Sequence, residues 1–348
     1  MDLASLLGVE FPVIQAPMAG VQGSALAIAV ARAGGLGSLP AALLSAEALR
    51  TELAAFRAAT HQPLNVNFFC HKPPVFDASR EARWRRLLEP YYAECGLDST
   101  QQTPAPLRLP FDAASATVLE EFSPEVVSFH FGLPSPELLA RVQATGAKIL
   151  ASATTPDEAR WLEARGVDAV IAQGAEAGGH RGIFLDTALD TPQGTSTLLP
   201  RIARAVRVPV IAAGGIGEAA AVAEAMRLGA AGIQAGTAYL LCPEATTSAV
   251  HRHALEQDGD RHTQITNLFS GRPARGIVNR LMRELGPMNA AVPDFPLAAA
   301  ALAPLRAHAE RLGRGDFSPL WAGENLRQCR SVPAGEVTQE LARALRDS

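Results

Sequence analysis

Short apolar runs alternate along the chain with stretches whose apolar residues recur at helical spacing. Runs at 13–18, 36–39, 64–69, 126–130, 148–152, 169–173, 209–213 and 232–236 read as eight strands. Most are continuously apolar, as strands buried on both faces of a parallel sheet are, rather than alternating like half-exposed ones. Amphipathic helices are expected between several of them, at 45–60, 136–145, 156–165 and 218–228. Gly34, Gly146, Gly166 and Gly229 each stand just before an apolar run, where a left-handed residue can close a helix. Eight βα repeats predict an α/β fold, a TIM (β/α)8 barrel. A doubly wound sheet is the alternative that strand count alone leaves open.

Two segments break the alternation. The first, Pro-rich and carrying Trp84, Tyr91 and Tyr92, reads as an excursion over the barrel mouth at 71–124. The second, 242–319, reads as a strand-free, mostly helical lid and holds Asn267, Arg272 and Arg275. The barrel is then assigned to 1–70 and 125–241, with 320–348 as closing helices. Long inserts of this kind are usually functional or separate units.

Composition narrows the class. The chain has 348 residues, 48% apolar and 19% charged, so global disorder is excluded. No apolar run approaches the length of a membrane span, and no basic segment leads into an apolar stretch within residues 1–10. A cytoplasmic enzyme is the expectation. A net charge of −4 argues against a nucleic-acid partner. Cys70, Cys95, Cys242 and Cys329 form no CxxC, and no H-x-x-x-H is present, so reduced cysteines and no metal site are expected.

A barrel of this class puts its chemistry at the C-terminal ends of its strands. Two glycine-bearing loops there, Gly214-Gly215 and Gly236, follow the last two strands and suit a phosphate. Residues 215–220 also match the dinucleotide fingerprint G-x-G-x-x-A, but the next strand ends Gln234-Ala235-Gly236-Thr237 with no ribose-binding carboxylate. Gly178-Gly179-His180-Arg181-Gly182 lets backbone approach a planar ligand, with His180 as a donor or base. His130 ends a strand between two phenylalanines, where a functional and a core role are both open. Asn67 and Gln173 are amides ending apolar strands; a cofactor ring or an internal hydrogen bond would satisfy them. His251 and His253 read as surface residues.

Together these residues resemble the class I nitronate monooxygenases, also called the 2-nitropropane dioxygenase family. The matching pieces are Gln15-Ala16-Pro17-Met18, Asn65-Val66-Asn67-Phe68 with His71, Ser128-Phe129-His130-Phe131-Gly132, and the loop from Gln173 to Gly182. Ala213-Gly214-Gly215-Ile216, Gln234-Ala235-Gly236-Thr237, Arg272-Pro273-Ala274-Arg275-Gly276 and Leu320-Trp321-Ala322-Gly323 complete the match. The resemblance implies a TIM barrel with a lid, holding FMN noncovalently. Asn67, Gln173, Gly178, Gly179, Gly214 and Gly215 would contact FMN, and Gln234, Ala235, Gly236 and Thr237 would hold its phosphate end. His180 and His130 would be the catalytic pair. The implied reaction is oxidation of alkyl nitronates, notably propionate 3-nitronate, by O2 to a carbonyl compound plus nitrite or nitrate, through one-electron transfer to the flavin. The partners are thus a small nitronate and O2. Glu324 stands where the family pattern leads one to expect Gln, and only three tyrosines are present.

A nitronate is already an anion, so no strong base is needed to start its oxidation, whereas a neutral nitroalkane must first lose a carbon-bound proton. His180, with Arg181, is expected to face the nitro group. Arg272 or Arg275 on the lid is expected to meet a substrate carboxylate. Two other readings use the same barrel: an NAD(P)H-dependent flavin reductase of quinone or enoyl-acyl-carrier-protein type, and a flavin-free phosphate-binding isomerase or lyase.

Overall fold

The computed structural model describes residues 2–99, 108–186, 192–257 and 262–346. Its strands in chain order are β1 (Val13–Gln15), β2 (Gly37–Pro40), β3 (Leu64–Phe69), β4 (Val126–His130), β5 (Lys148–Ala153), β6 (Ala169–Gln173), β7 (Gly179–His180), β8 (Val210–Ala213), β9 (Gly232–Ala235), β10 (Thr263–Thr266) and β11 (Ala274–Ile277). Eight of them pair in parallel in the order β1-β9-β8-β6-β5-β4-β3-β2. A parallel bridge between Ile14 and Leu36 joins β1 to β2 and closes the ring. The fold is therefore a TIM barrel, and the doubly wound alternative falls.

The eight expected runs are these eight strands. The first is shorter than expected: it leaves the ladder at Gln15, and Ala16–Met18 bend into the mouth of the barrel. Buried aliphatics on both strand faces explain the continuous apolar reading. Ile14, Leu36, Val126, Leu150, Ala169, Ile171 and Ile211 fill the interior with Leu3 and Leu7 of an N-terminal helix, while the opposite faces pack on the surrounding helices. Ser45, Ser135 and Thr155 cap their helices through side-chain oxygens. Gly34, Gly146, Gly166 and Gly229 all take positive φ, between 80° and 98°. The C-terminal helix Ala334–Arg346 packs between the helices Ala219–Arg227 and Ser24–Arg32, so the chain's end supplies the barrel's last helix.

The two inserts share one core. Trp84, Leu88, Tyr91 and Tyr92 of the helix Ala78–Glu94 pack with Leu281, Leu302, Leu305 and Phe317. Trp84 donates to the carbonyl of Ala298 (3.3 Å) and Tyr92 to that of Ala301 (2.7 Å). Residues 100–107 of the first insert lie outside the described ones. The second insert, read as strand-free, carries β10 and β11, which pair antiparallel with each other; β11 also pairs with β7. That small sheet is short and polar, so periodicity did not reveal it. It docks the lid directly onto the loop that carries His180. No helix of the described residues is long and apolar enough to cross a membrane.

Candidate active site

One cavity opens over the C-terminal ends of the barrel strands. Asn67, Ser128, His130, Ser152, Gln173 and Gln234 line it from the strands, and the strand-end glycines line it from the loops. His130 and Gln173 end their strands, Ser152 and Gln234 stand one residue short of the end, and Asn67 and Ser128 two, so all lie in the C-terminal half or middle of a strand where the hydrophobic interior gives way to the cavity.

His180 is carried by β7, which pairs with Arg275 and Ala274 of the lid. Its backbone carbonyl accepts hydrogen bonds from Gln173 Nε2 (2.9 Å) and from His130 Nε2 (3.1 Å). A carbonyl only accepts, so His130 carries its proton on Nε2, and its Nδ1 accepts from the Ser152 hydroxyl (2.9 Å). Gln173 completes the clamp by accepting from Gly182 N (2.8 Å). The His180 ring bonds through Nε2 to Ser270 Oγ (2.9 Å), and Ser270 donates to the Arg272 carbonyl (3.2 Å). Ser270 has then spent its proton, so His180 Nε2 is the donor and Nδ1 keeps its lone pair.

Burial pushes His180 well below the usual histidine value, and neighbouring Arg108, His130, Arg272 and His71 push it the same way. Burial likewise lowers His130 and His71 to about 4. All three rings are neutral at pH 7. Around His180 stand Phe295 (5.2 Å between centroids), Trp321 (5.5 Å), Phe69 (6.0 Å) and Phe131 (6.0 Å), an apolar frame that leaves the imidazole as the polar feature. Phe131 itself holds φ at 70°, a conformation costing a non-glycine residue about 1 kcal/mol or more. The arrangement suits withdrawal of a proton by a neutral base beside a planar ligand.

The glycine loops divide in their reasons. A side chain at Gly178 would lie 2.6 Å from the backbone of Ala322 and Gly323, so packing alone requires glycine there, whereas at Gly214 a φ of 118° and a 2.8 Å approach to Thr195 Oγ1 both do. At Gly179 and Gly215 there is room, and positive φ is the requirement (73° and 72°). Gly236 borders the cavity against Ala16 and Met18. Thr237 also lines the cavity, its hydroxyl accepting from Gly323 N (2.9 Å). Ala235 does not line it; it lies in the layer between strands and helices.

Gln234 lines the cavity with Oε1 buried and unpartnered. Such an acceptor demands a donor from whatever fills the space. Asn67, by contrast, already donates to Ser128 Oγ (2.9 Å) and to the Ser128 carbonyl (3.2 Å), leaving its own carbonyl oxygen available.

Several expectations are corrected. Arg181 is buried beneath the loop, where its guanidinium donates to the carbonyls of Gly174 (2.5 Å) and Gln173 (3.1 Å). Arg272 donates to the Ile183 carbonyl and stacks 4.0 Å over the Phe131 ring. Arg275 binds the carbonyls of Ala175 (2.7 Å) and Thr263 (3.1 Å) and pairs with Glu324 (2.9 Å). None of these three arginines lines the cavity: Arg181 braces the loop from below, and Arg272 and Arg275 hold lid to barrel. The unexpected Glu324 is thereby explained as the partner of Arg275. Among the described residues the arginines that line the cavity are Arg108 and Arg306, which no motif marked. His251 is buried rather than superficial, lines the cavity and has an unpartnered Nε2, while His253 is exposed. Ser152 and Ser270 were also missed; Ser152 carried the signal used for Asn67, a polar residue closing an apolar strand. Among the described residues no group of His, Cys, Asp or Glu could hold a metal ion.

The nitronate monooxygenase family model matches residues 2–344. The chain is 42% identical over 344 residues to a nitronate monooxygenase of Pseudomonas aeruginosa, covering 98% of each chain. Its structure is similar to that of a nitroalkane oxidase from Streptomyces ansochromogenes, with a TM-score of 0.90, 38% identity and coverage of 99% and 98%. A structure of FabK from Thermotoga maritima is more distant, with a TM-score of 0.73, 26% identity and coverage of 99% and 96%.

Proposed function

The chain belongs to the nitronate monooxygenase family and is an enzyme that oxidises nitronates; from that premise we propose that it works with FMN and O2 on small alkyl nitronates, propionate 3-nitronate among them. The observation that carries the cofactor assignment is Gln234. Its buried, unpartnered acceptor faces a cavity rimmed by Gly214, Gly215 and Gly236. A flavin mononucleotide offers the missing donor from its ring or ribityl hydroxyls. It also offers a phosphate for the backbone amides of Gly215, Gly236 and Thr237, in the place where barrels of this type bind one.

The bound FMN would supply the redox chemistry, taking an electron from the nitronate and delivering it to O2. The protein's own contribution is binding, orientation and proton control. Asn67 and Gln173 present amides at the strand ends toward the ring. His180 holds a neutral imidazole over the reacting carbon, its Nδ1 lone pair set by the Ser270 hydrogen bond, and takes the carbon-bound proton when a neutral nitroalkane binds. His130 and Gln173 position His180 by gripping its carbonyl. The aromatic frame excludes water from that proton transfer. One nitronate and one O2 balance to a carbonyl compound and nitrate; two nitronates and one O2 balance to two carbonyls and two nitrites.

The cofactor assignment is tested by denaturing the gently purified protein. Release of FMN in stoichiometric amount, reduced in a Gln234→Leu variant, is expected. A colourless protein with no flavin in the extract contradicts it and favours a flavin-free barrel.

A further inference from the structure

Among the charged side chains that line the cavity, most are spent. Glu176 accepts from Thr195 N (2.8 Å) and Thr195 Oγ1 (2.8 Å). Arg306 pairs with Glu310 (2.7 Å), and Glu310 also accepts from Ser318 (2.7 Å). Arg108 is different. It is half-buried in the cavity wall, and among the described residues no carboxylate or carbonyl pairs with its guanidinium. Burial, and the like charge of Arg306, weaken its hold on its proton, which is the mark of a cation lacking an anion. Burial, with Arg108's charge added, keeps His71 and His180 neutral.

Leaving a guanidinium partly desolvated and unmatched is costly unless a ligand completes it. The imidazole and amides at the strand ends, where the reacting carbon must lie, are all uncharged. The charge that finds no partner among the described residues instead comes from the first insert, and Arg306 of the lid adds a like charge to the same cavity wall. We propose that Arg108, backed by Arg306, is the anchor for a second anionic group on the substrate, a carboxylate carried on the nitronate's tail, and so sets the enzyme's preference for carboxylated over plain alkyl nitronates. This rests on the nitronate-oxidising reading above and names the residue that chooses within that substrate class. It replaces Arg272, whose guanidinium is held by the Ile183 carbonyl, and Arg275, whose donors are taken by backbone carbonyls and Glu324.

The test compares propionate 3-nitronate with propyl-1-nitronate, which has a methyl group in place of the carboxylate. The wild type is expected to favour the first in kcat/KM. Arg108→Gln is expected to cut that ratio by about 30-fold, the usual consequence of removing one partner of a desolvated charge pair, mainly through KM. Arg108→Lys recovers part of it, and Arg306→Gln lowers it less. A measurement without variants guards against misfolding: propionate is expected to compete against propyl-1-nitronate at least tenfold more tightly than propionamide does. An unchanged ratio in Arg108→Gln, an equal fall for both substrates, or equal inhibition by propionate and propionamide overturns the proposal. Failure of the wild type to oxidise either substrate overturns the functional reading instead.

Discussion

His130 donates from Nε2 to the backbone carbonyl of His180 across 3.1 Å, so one histidine fixes the segment that carries the other. In the function proposed above the two imidazoles act at different distances from the chemistry: His180 would face the ligand, and His130 would hold it there. Removing the His130 donor leaves the carbonyl, among the described residues, with Gln173 alone. We predict that His130→Leu lowers kcat/KM for nitronates about tenfold, the equivalent of one net hydrogen bond. His130→Gln, which can donate again, restores part of the loss. Steady-state kinetics on flavin-loaded protein checks this; equal losses in both variants would argue that only ring packing matters.

A neutral His180 predicts a split between substrates. His180→Asn should suppress oxidation of neutral nitroalkanes far more than oxidation of preformed nitronates, because only the former need a base. Burial holds the His180 value well below its usual 6.5, so the nitroalkane rate should stay level as pH falls through 6.5 and drop only at lower pH. Ser270→Ala removes the acceptor that fixes the tautomer and should alter that acid limb. Equal losses on both substrates would remove the base role.

The barrel was legible because its strands are buried on both faces and its helices carry caps and terminal glycines. The strand-end polar residues Asn67, His130 and Gln173 were legible for a related reason: a polar side chain closing an apolar run has to be explained. Arg272 and Arg275 misled because clustering of arginines in sequence carries no information on which carbonyls lie within reach. Arg108 stayed hidden because lacking a partner among the described residues is a property of three-dimensional surroundings. His251 was misread because alternation along a helix says that two histidines face apart, and only the packing of Val250 and Leu255 decides which face is inward.

Two glycines separate packing from binding. A methyl group at Gly178 would sit 2.6 Å from the Ala322–Gly323 backbone, so Gly178→Ala should destabilise the whole fold or expel the segment after Trp321. Gly215→Ala meets nothing nearer than 3.5 Å and suffers only its positive φ, a cost of about 1 kcal/mol. Its main effect should fall on flavin retention. Thermal melts of the apoprotein together with FMN titrations distinguish the two; identical behaviour would contradict the assignment.

Stability should fall as acid is added below pH 6.5. His71, His130 and His251 each drop to about 4 in the folded chain, whereas the unfolded chain titrates near 6.5. Between those values the unfolded state binds more protons, so folding weakens with each step down in pH, by up to about 1.4 kcal/mol per pH unit for each histidine. Urea midpoints from pH 7 to pH 4 should show this slope, and His251→Leu should flatten it. A midpoint independent of pH over that range would contradict the burial assigned to these rings.

The central claim is that this cavity joins a nitronate, a flavin and O2 without a nicotinamide donor. Oxygen uptake on adding propionate 3-nitronate to the purified protein tests it most directly. The account predicts prompt consumption of O2 with no NADH or NADPH present, and the appearance of nitrite or nitrate. No uptake under those conditions, together with rapid anaerobic bleaching of the flavin by NADH, would contradict it and favour a nicotinamide-dependent reductase.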